Sequence, residues 1–311
     1  MSTLHSNGHG PSKRTRFFRL GGTFVGALAV GAVIEAAVLS WQAANGVVHP
    51  PRTLDDQTPT DFGLTFENVE FYSTDGILLR GWFIPGGKAA VLLAHGHGGS
   101  KSSMLPRANA LRQEAGYSVL LFDFRASGES EGSEATLGYR EKNDILGAIA
   151  YLQSRPEVDP ERIGALGSSM GAAALLMLGE EAQRLRAVVA DSAFASAENL
   201  VGQFDRWFRL PPVFFSRVVP WAVERLVSLR AADVAPLAAV GLMAPTAVFI
   251  IHGAEDAGVP VSDAYLIMEA AREPKDLWIV PEAGHGQGSA VAQDEYRARV
   301  LAFFGRYLGK S

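Results

Sequence analysis

Apolar and polar positions along the 311-residue chain repeat with two different periods. Residues 67–72 alternate one in and one out, the mark of a half-buried strand, and Asp75-Gly76 makes a turn into a second strand at 78–84. Residues 89–94 are a continuous apolar run, which suits a strand covered on both faces. Beyond it the spacing predicts a helix over 104–114 stopped by Gly116, a strand over 118–122, a helix over 139–153, a strand over 162–166, a helix over 170–178 and a strand over 187–190. After an interruption the alternation resumes with a strand over 246–251, a helix over 262–271, a strand over 277–280 and a helix over 291–308. A hairpin followed by repeated strand–helix units predicts an α/β domain over 61–311: an eight-stranded, mostly parallel sheet with helices on both faces. Ligands of such sheets bind beyond the carboxyl ends of the strands.

The interruption, 195–236, concentrates Phe204, Trp207, Phe208, Phe214, Phe215 and Trp221 between helix-breaking Pro211, Pro212 and Pro220. It reads as a helical insertion, either packed on its own domain or forming a lid over an apolar acyl pocket. The N-terminus has its own pattern. Residues 1–19 form a polar tail, expected to be disordered, that turns basic at Lys13, Arg14, Arg16 and Arg19. Residues 20–39 are then apolar apart from Thr23 and Glu35. A helix of about twenty residues spans roughly 30 Å, the thickness of a hydrocarbon core. This predicts an uncleaved transmembrane helix over 20–41, with the basic tail cytoplasmic and the rest outside, as a single-pass protein of the cell membrane. A cleaved signal peptide is the rival, but no convincing small-x-small cleavage site follows. A buried amphipathic helix would show an apolar stripe, whereas here apolar residues run all round. Residues 42–60, containing His49-Pro50-Pro51-Arg52, read as a stiff linker.

Composition narrows the function. Apolar residues at 48% and charged ones at 20% are ordinary for a globular chain, and a net charge of −5 gives no basic field for nucleic acid. Absence of cysteine excludes a disulfide framework, a thiolate zinc site and a cysteine nucleophile.

The chemistry gathers at the predicted strand ends. Gly167-Ser168-Ser169-Met170-Gly171 lies between a strand and a helix, the context in which G-x-S-x-G forms a sharp nucleophile elbow. Ser169 is the candidate nucleophile. A serine hydroxyl needs a base to take its proton and a carboxylate to orient that base. Asp256, directly after strand 246–251, is the candidate acid, with Glu255 its adjacent competitor. Asp123 and Asp191 also end strands and read as loop caps. His285, between Gly284 and Gly286 after strand 277–280, is the candidate base, while His252 reads as a brace for the acid loop. Two backbone N–H groups must face the oxyanion of the tetrahedral intermediate, and Met170 and His97 are the candidates, His97 lying in the glycine-rich loop His95-Gly96-His97-Gly98-Gly99. His95 and His97 could supply two imidazoles to zinc, but no third ligand cluster is near in sequence, so no metal and no cofactor is expected. Gly98-Gly99-Ser100 lacks the spacing and lysine of a phosphate loop.

Taken together, GLTFENVEFYSTDGILLRGWFIP, HGHGGS, LLFDFRASGES, RIGALGSSMG, HGAEDAGVP and GAGHG resemble the α/β-hydrolase superfamily. More closely, the chain is similar to membrane-anchored bacterial serine hydrolases of the serine aminopeptidase, dienelactone hydrolase and prolyl oligopeptidase groups. The resemblance implies the α/β-hydrolase fold, with Ser169 as nucleophile, Asp256 as acid, His285 as base, and His97 and Met170 as oxyanion donors. Ala126 and Ala172 stand where the family often has glycine, which bears on pocket shape. The expected activity is hydrolysis of a small-molecule ester through an acyl-enzyme. A peptidase or amidase with the same triad, or a non-catalytic binding protein on the same fold, are the alternatives.

Overall fold

Each run picked out by its period forms an element in the computed structural model, which describes residues 13–54, 56–200 and 212–309, with the side chains of 13–29 and 212–217 outside that description. A long helix α1, Lys13–Val48, precedes the sheet. The sheet strands are β1 (Glu67–Tyr72), β2 (Leu78–Ile84), β3 (Ala90–Ala94), β4 (Ser118–Phe122), β5 (Ile163–Ser168), β6 (Ala187–Asp191), β7 (Ala247–Gly253) and β8 (Lys275–Val280). Between them lie α2 (Leu105–Ala115), α3 (Glu141–Ser154), α4 (Met170–Leu176), α5 (Pro212–Val227), α6 (Pro236–Ala239) and α7 (Val261–Ala270), and after them α8 (Gly288–Val291) and α9 (Gln293–Leu308).

The eight strands form one sheet in the order β1-β2-β4-β3-β5-β6-β7-β8. β1 pairs antiparallel with β2, and β2 with β4; every pairing from β4 to β8 is parallel. Strand β3 therefore sits centrally, between β4 and β5. Its continuous apolar run is required there, because alternate side chains enter two cores. Leu92, with Leu120, Ala165 and Val188, packs against Ile145, Ile149 and Leu175 of α3 and α4. Val91 and Leu93, with Leu121, Leu166 and Val189, pack on the other face against Leu105, Leu111, Phe303 and Phe304 of α2 and α9. With no strand face left to water, alternation disappears from the central strands.

Five details depart from the sequence reading. Helix α1 already begins at Lys13, inside the tail expected to be disordered through residue 19, and α5 runs through Pro220, expected to break a helix. The helix expected over 291–308 is two helices, because Ala292 leaves the helical region at φ −117° and ψ 50°. The linker expected from residue 42 begins only at His49: α1 runs unbroken through Asn45 and Gly46, and the Pro50-Pro51 pair then ends it. The linker is also fastened to the domain. Arg52 donates to the carbonyls of Gly128, Ser130 and Gly132 at 2.9, 2.5 and 2.7 Å. Within the interruption at 195–236, α5 lies along α1, where Ala44, Val219 and Ala222 are buried together. Phe204, Trp207 and Phe208 fall outside the described residues. Among the described residues no helix is long and apolar enough to cross a membrane. The first ten positions of the span expected over 20–41 lie outside the described side chains. From residue 30 onward α1 exposes Val30, Val33, Ile34, Val38, Leu39 and Trp41.

The antiparallel hairpin is tied to α3 by buried charge. Arg125 holds Asp144 through Nη2 at 2.6 Å and Nε at 3.0 Å, and reaches Asp75 in the hairpin turn through Nη1 at 2.9 Å. Asp144 is fully enclosed. Removing the cation would strand that carboxylate, so Arg125→Met should destabilise the protein by about 3–5 kcal/mol. Urea unfolding midpoints check this: Arg80→Ala, which breaks the exposed pair with Glu70, should shift the midpoint far less, and an unchanged midpoint in Arg125→Met would refute the role of the buried pair.

Candidate active site

The carboxyl ends of β3, β5, β6, β7 and β8 are neighbours in the sheet, and the loops leaving them carry all the candidate residues. Ser169 follows β5 with φ 51° and ψ −114°, a left-handed backbone that an L-residue adopts at a cost of about 1–3 kcal/mol. The two flanking glycines make that turn possible. A Cβ on Gly167 would lie 2.5 Å from the Gly171 carbonyl carbon, and one on Gly171 would lie 2.4 Å from the Ala94 oxygen. Both positions exclude any larger residue, so α4 can start directly against β3 and β5.

Ser169 donates its hydroxyl proton to His285 Nε2 at 2.8 Å, and His285 Nδ1–H donates to Asp256 Oδ2 at 2.7 Å. Residues 87 and 29 positions apart in sequence thus form one continuous line of hydrogen bonds. Of the two acidic neighbours after β7, Asp256 reaches the imidazole, whereas Glu255 is exposed to solvent. The Asp256 side chain is fully enclosed, while His285 remains about a third exposed, at 36%. The other oxygen of Asp256 accepts the amides of Gly258 and Val259 at 2.8 and 2.7 Å. Burial alone would raise the Asp256 carboxyl. The bond from His285, the Val259 amide and the adjacent His285 and His252 rings outweigh it and hold the carboxyl below the usual carboxylate range. His252 donates Nε2–H to the Val259 carbonyl at 3.0 Å, closing the acid loop on itself.

The loop after β3 passes close to Ser169: a Cβ on Gly96 would lie 3.5 Å from Ser169 Cβ. The His97 amide follows Gly96 on that loop, and the Met170 amide opens α4 directly after Ser169. Among the described residues neither donates to a protein acceptor. The His97 ring turns the other way and donates Nε2–H to the Val47 carbonyl at 2.7 Å, at the end of α1. His95 is buried; its Nδ1–H donates to the Gly96 carbonyl at 2.7 Å and its Nε2 accepts the Phe124 amide at 3.1 Å. Both of its nitrogens are thus engaged with backbone. Asp123 accepts the amides of Lys101 and Glu129 and the Lys101 ammonium, all within 3.0 Å, and so caps its loop. Asp191 is buried without reaching His285; it accepts Tyr296 Oη–H at 2.8 Å and Arg107 Nη2–H at 3.1 Å. Sequence reading singled out neither Tyr296 nor Arg107. Each lies on a helix, where it has the look of an ordinary amphipathic position.

Comparisons with known proteins bear on the fold and the class of chemistry. The chain is 29% identical over 283 residues to YfhR of Salmonella typhi, covering 85% of this chain and 84% of the relative. It is 31% identical over 223 residues to Rv2307c of Mycobacterium tuberculosis, covering 70% of this chain and 72% of that one. Among solved structures, the esterase Pf2001 of Pyrococcus furiosus superposes with a TM-score of 0.73 at 28% identity, over 85% of this chain and 99% of the esterase. Residues 106–311 match the prolyl oligopeptidase family. The chain belongs to that family, within the α/β-hydrolase superfamily, and is a serine hydrolase of that type.

Proposed function

We propose that this hydrolase is a carboxylesterase-like enzyme that cleaves a small-molecule ester through an acyl-enzyme. The observation that carries the reading is the unbroken line Ser169–His285–Asp256, at 2.8 and 2.7 Å. In this mechanism Ser169 Oγ attacks the ester carbonyl while His285 Nε2 takes its proton, and the enclosed Asp256 carboxylate stabilises the imidazolium. The amides of His97 and Met170 hold the oxyanion. The tetrahedral intermediate then collapses, the alkoxide leaves with the proton from His285, and the acyl group stays on Ser169. A water activated by His285 releases the acid and restores the serine.

The choice of ester over amide draws on one further observation. The similar Pyrococcus furiosus protein is an esterase, aligned over 99% of its length. The name of the matched family favours a second reading, a peptidase or amidase with the same triad. We also propose that α1 attaches the chain to the cell membrane, with the domain outside; the basic tail, the apolar stretch at 20–39 and the exposed apolar side chains from Val30 to Trp41 support this.

Short p-nitrophenyl esters assayed beside aminoacyl amides separate the two enzymatic readings, and faster turnover of the amides would replace the ester assignment. Ser169→Ala and His285→Ala should each lower kcat by about a millionfold, and a fluorophosphonate should label wild type but not Ser169→Ala. A folded wild type that neither turns over nor labels would favour a non-catalytic binding protein. Asp256→Asn should keep a remnant, down about ten-thousandfold, because it permits the wrong imidazole tautomer.

The acid side of the pH profile gives a further test. The Asp256 carboxyl is held below its ordinary range, so it stays ionised through the acid limb of the profile. The acid limb of kcat/KM should therefore fall with the slope of one proton. A two-proton slope would mean that Asp256 titrates together with the base. For the membrane reading, carbonate washing should leave the full chain in the pellet, and release into the supernatant would overturn the anchor.

A further inference from the structure

The dipeptide Asp191-Ser192 stands at the end of β6, between the strand that carries the nucleophile and the strand that carries the acid. It bonds to all three triad-bearing segments. The Asp191 carbonyl accepts the Ser169 amide at 2.8 Å, directly at the elbow. The Ser192 amide donates to the Ile251 carbonyl at 2.8 Å, on β7 just before the acid loop. Ser192 Oγ accepts the Gly286 amide at 3.1 Å, next to the base. No triad residue is shared among these bonds except Ser169, through its backbone.

The hub is itself held from below. Ser192 Oγ–H donates to Asp191 Oδ1 at 3.0 Å, which orients the oxygen lone pairs toward Gly286. Asp191 Oδ2 takes the Tyr296 hydroxyl at 2.8 Å and Arg107 Nη2–H at 3.1 Å, and Arg107 Nε–H donates to the Tyr296 oxygen at 3.2 Å. Asp191, Ser192 and Tyr296 are all buried. Ser192 carries φ 59°, in the left-handed region shared by Ser169 at 51° after β5 and Glu282 at 58° after β8. A serine kept in that conformation beside glycine-tolerant loops needs a compensating bond, and its hydroxyl makes two.

From this geometry we infer that Asp191-Ser192 is the positioning hub of the triad, and that Ser192 is the positioning residue for the His285 loop, with Tyr296 and Arg107 as its fixed supports. The inference rests on the hydrolase reading for its kinetic consequence but not for its structural one. The loop at 282–287 is exposed near its tip, where Gly286 has φ 65°. The imidazole must meet a hydroxyl and a carboxylate at once, so a displacement of the loop loosens both bonds together. A shift of about 1 Å in a reacting group can cost about a hundredfold in rate.

Ser192→Ala removes the acceptor for Gly286 and keeps the small side chain. It should lower kcat about ten- to a hundredfold with KM unchanged, because no atom of Ser192 belongs to the candidate substrate contacts. The charged groups facing the base and its partner are Asp256 and His252, and those behind the hub are Asp191 and Arg107, beside the Tyr296 phenol. None of these is removed by the substitution. A loosened Asp256 bond stabilises the imidazolium less, so the acid limb of kcat/KM should also move to lower pH. Tyr296→Phe keeps the ring packing and removes one donor to Asp191, and should shift both readouts in the same direction by a smaller factor. It also decides the matter if Ser192→Ala does not fold. A third readout needs no turnover: the low-field proton resonance of His285 Nδ1–H, present in wild type, should broaden or vanish in Ser192→Ala. Wild-type kcat, acid limb and resonance in folded Ser192→Ala and Tyr296→Phe would overturn the hub. An inactive, unlabelled wild type with a resonance lost in Ser192→Ala would instead overturn the hydrolase reading and leave the hub standing.

Discussion

A serine held in the left-handed region at the end of a strand is the constraint from which the rest of the site follows. Such a backbone does not persist alone. It requires α4 to pack directly onto β3 and β5, and the approaches at Gly167 and Gly171 leave room for nothing beyond a hydrogen. Once the elbow is in place, the Met170 amide opens α4 directly after Ser169, and the loop after β3 approaches the serine at Gly96. Backbone geometry thus brings Ser169 and the segments of the candidate oxyanion donors together before any side-chain chemistry enters.

Charge completes what geometry begins. Asp256 is removed from water yet held as a carboxylate, because two amides and an imidazole N–H supply the hydrogen bonds that solvent would have made. The cost of enclosing it is met locally, within four residues of loop and one ring. Asp123 is likewise bound by a lysine and two amides, whereas at Asp144 the Arg125 guanidinium answers burial only in part, and enclosure pushes that carboxyl up to about 7. Of the enclosed carboxylates at the strand ends, Asp123, Asp191 and Asp256, only the one after β7 meets a histidine that also meets a serine.

Much of this could be read along the chain because the relevant signals are local. Continuous apolar runs marked β3 to β7, and the order serine, acid, histidine marked Ser169, Asp256 and His285. The preference for Asp256 over Glu255 agrees with which carboxylate reaches the ring. The exchange of β3 and β4 in strand order was not legible, since both runs are equally apolar and neither period nor turn chemistry encodes a neighbour. Asp191 was recognisable as a strand-end carboxylate, but its meaning depends on Tyr296, 105 residues away, and Arg107, 84 residues away. A residue that acts through distant backbone groups leaves no periodic trace. The same holds for His97, whose ring contacts the end of α1, and for Arg52, whose partners are four backbone carbonyls on one loop.

That last contact bears on how the protein can be cut. Val47, Val48, Arg52 and Thr53 together bind His97, Ala135, the loop at 127–132 and Gly98. These residues belong to the catalytic body in every sense except their place before the first strand. A recombinant chain trimmed to begin at the sheet would retain both hydrophobic cores and the three aligned side chains, yet its glycine-rich loop would have lost its outer brace. Sluggish turnover in such a shortened protein would report slack in that loop and would put the boundary of the working enzyme upstream of Val47.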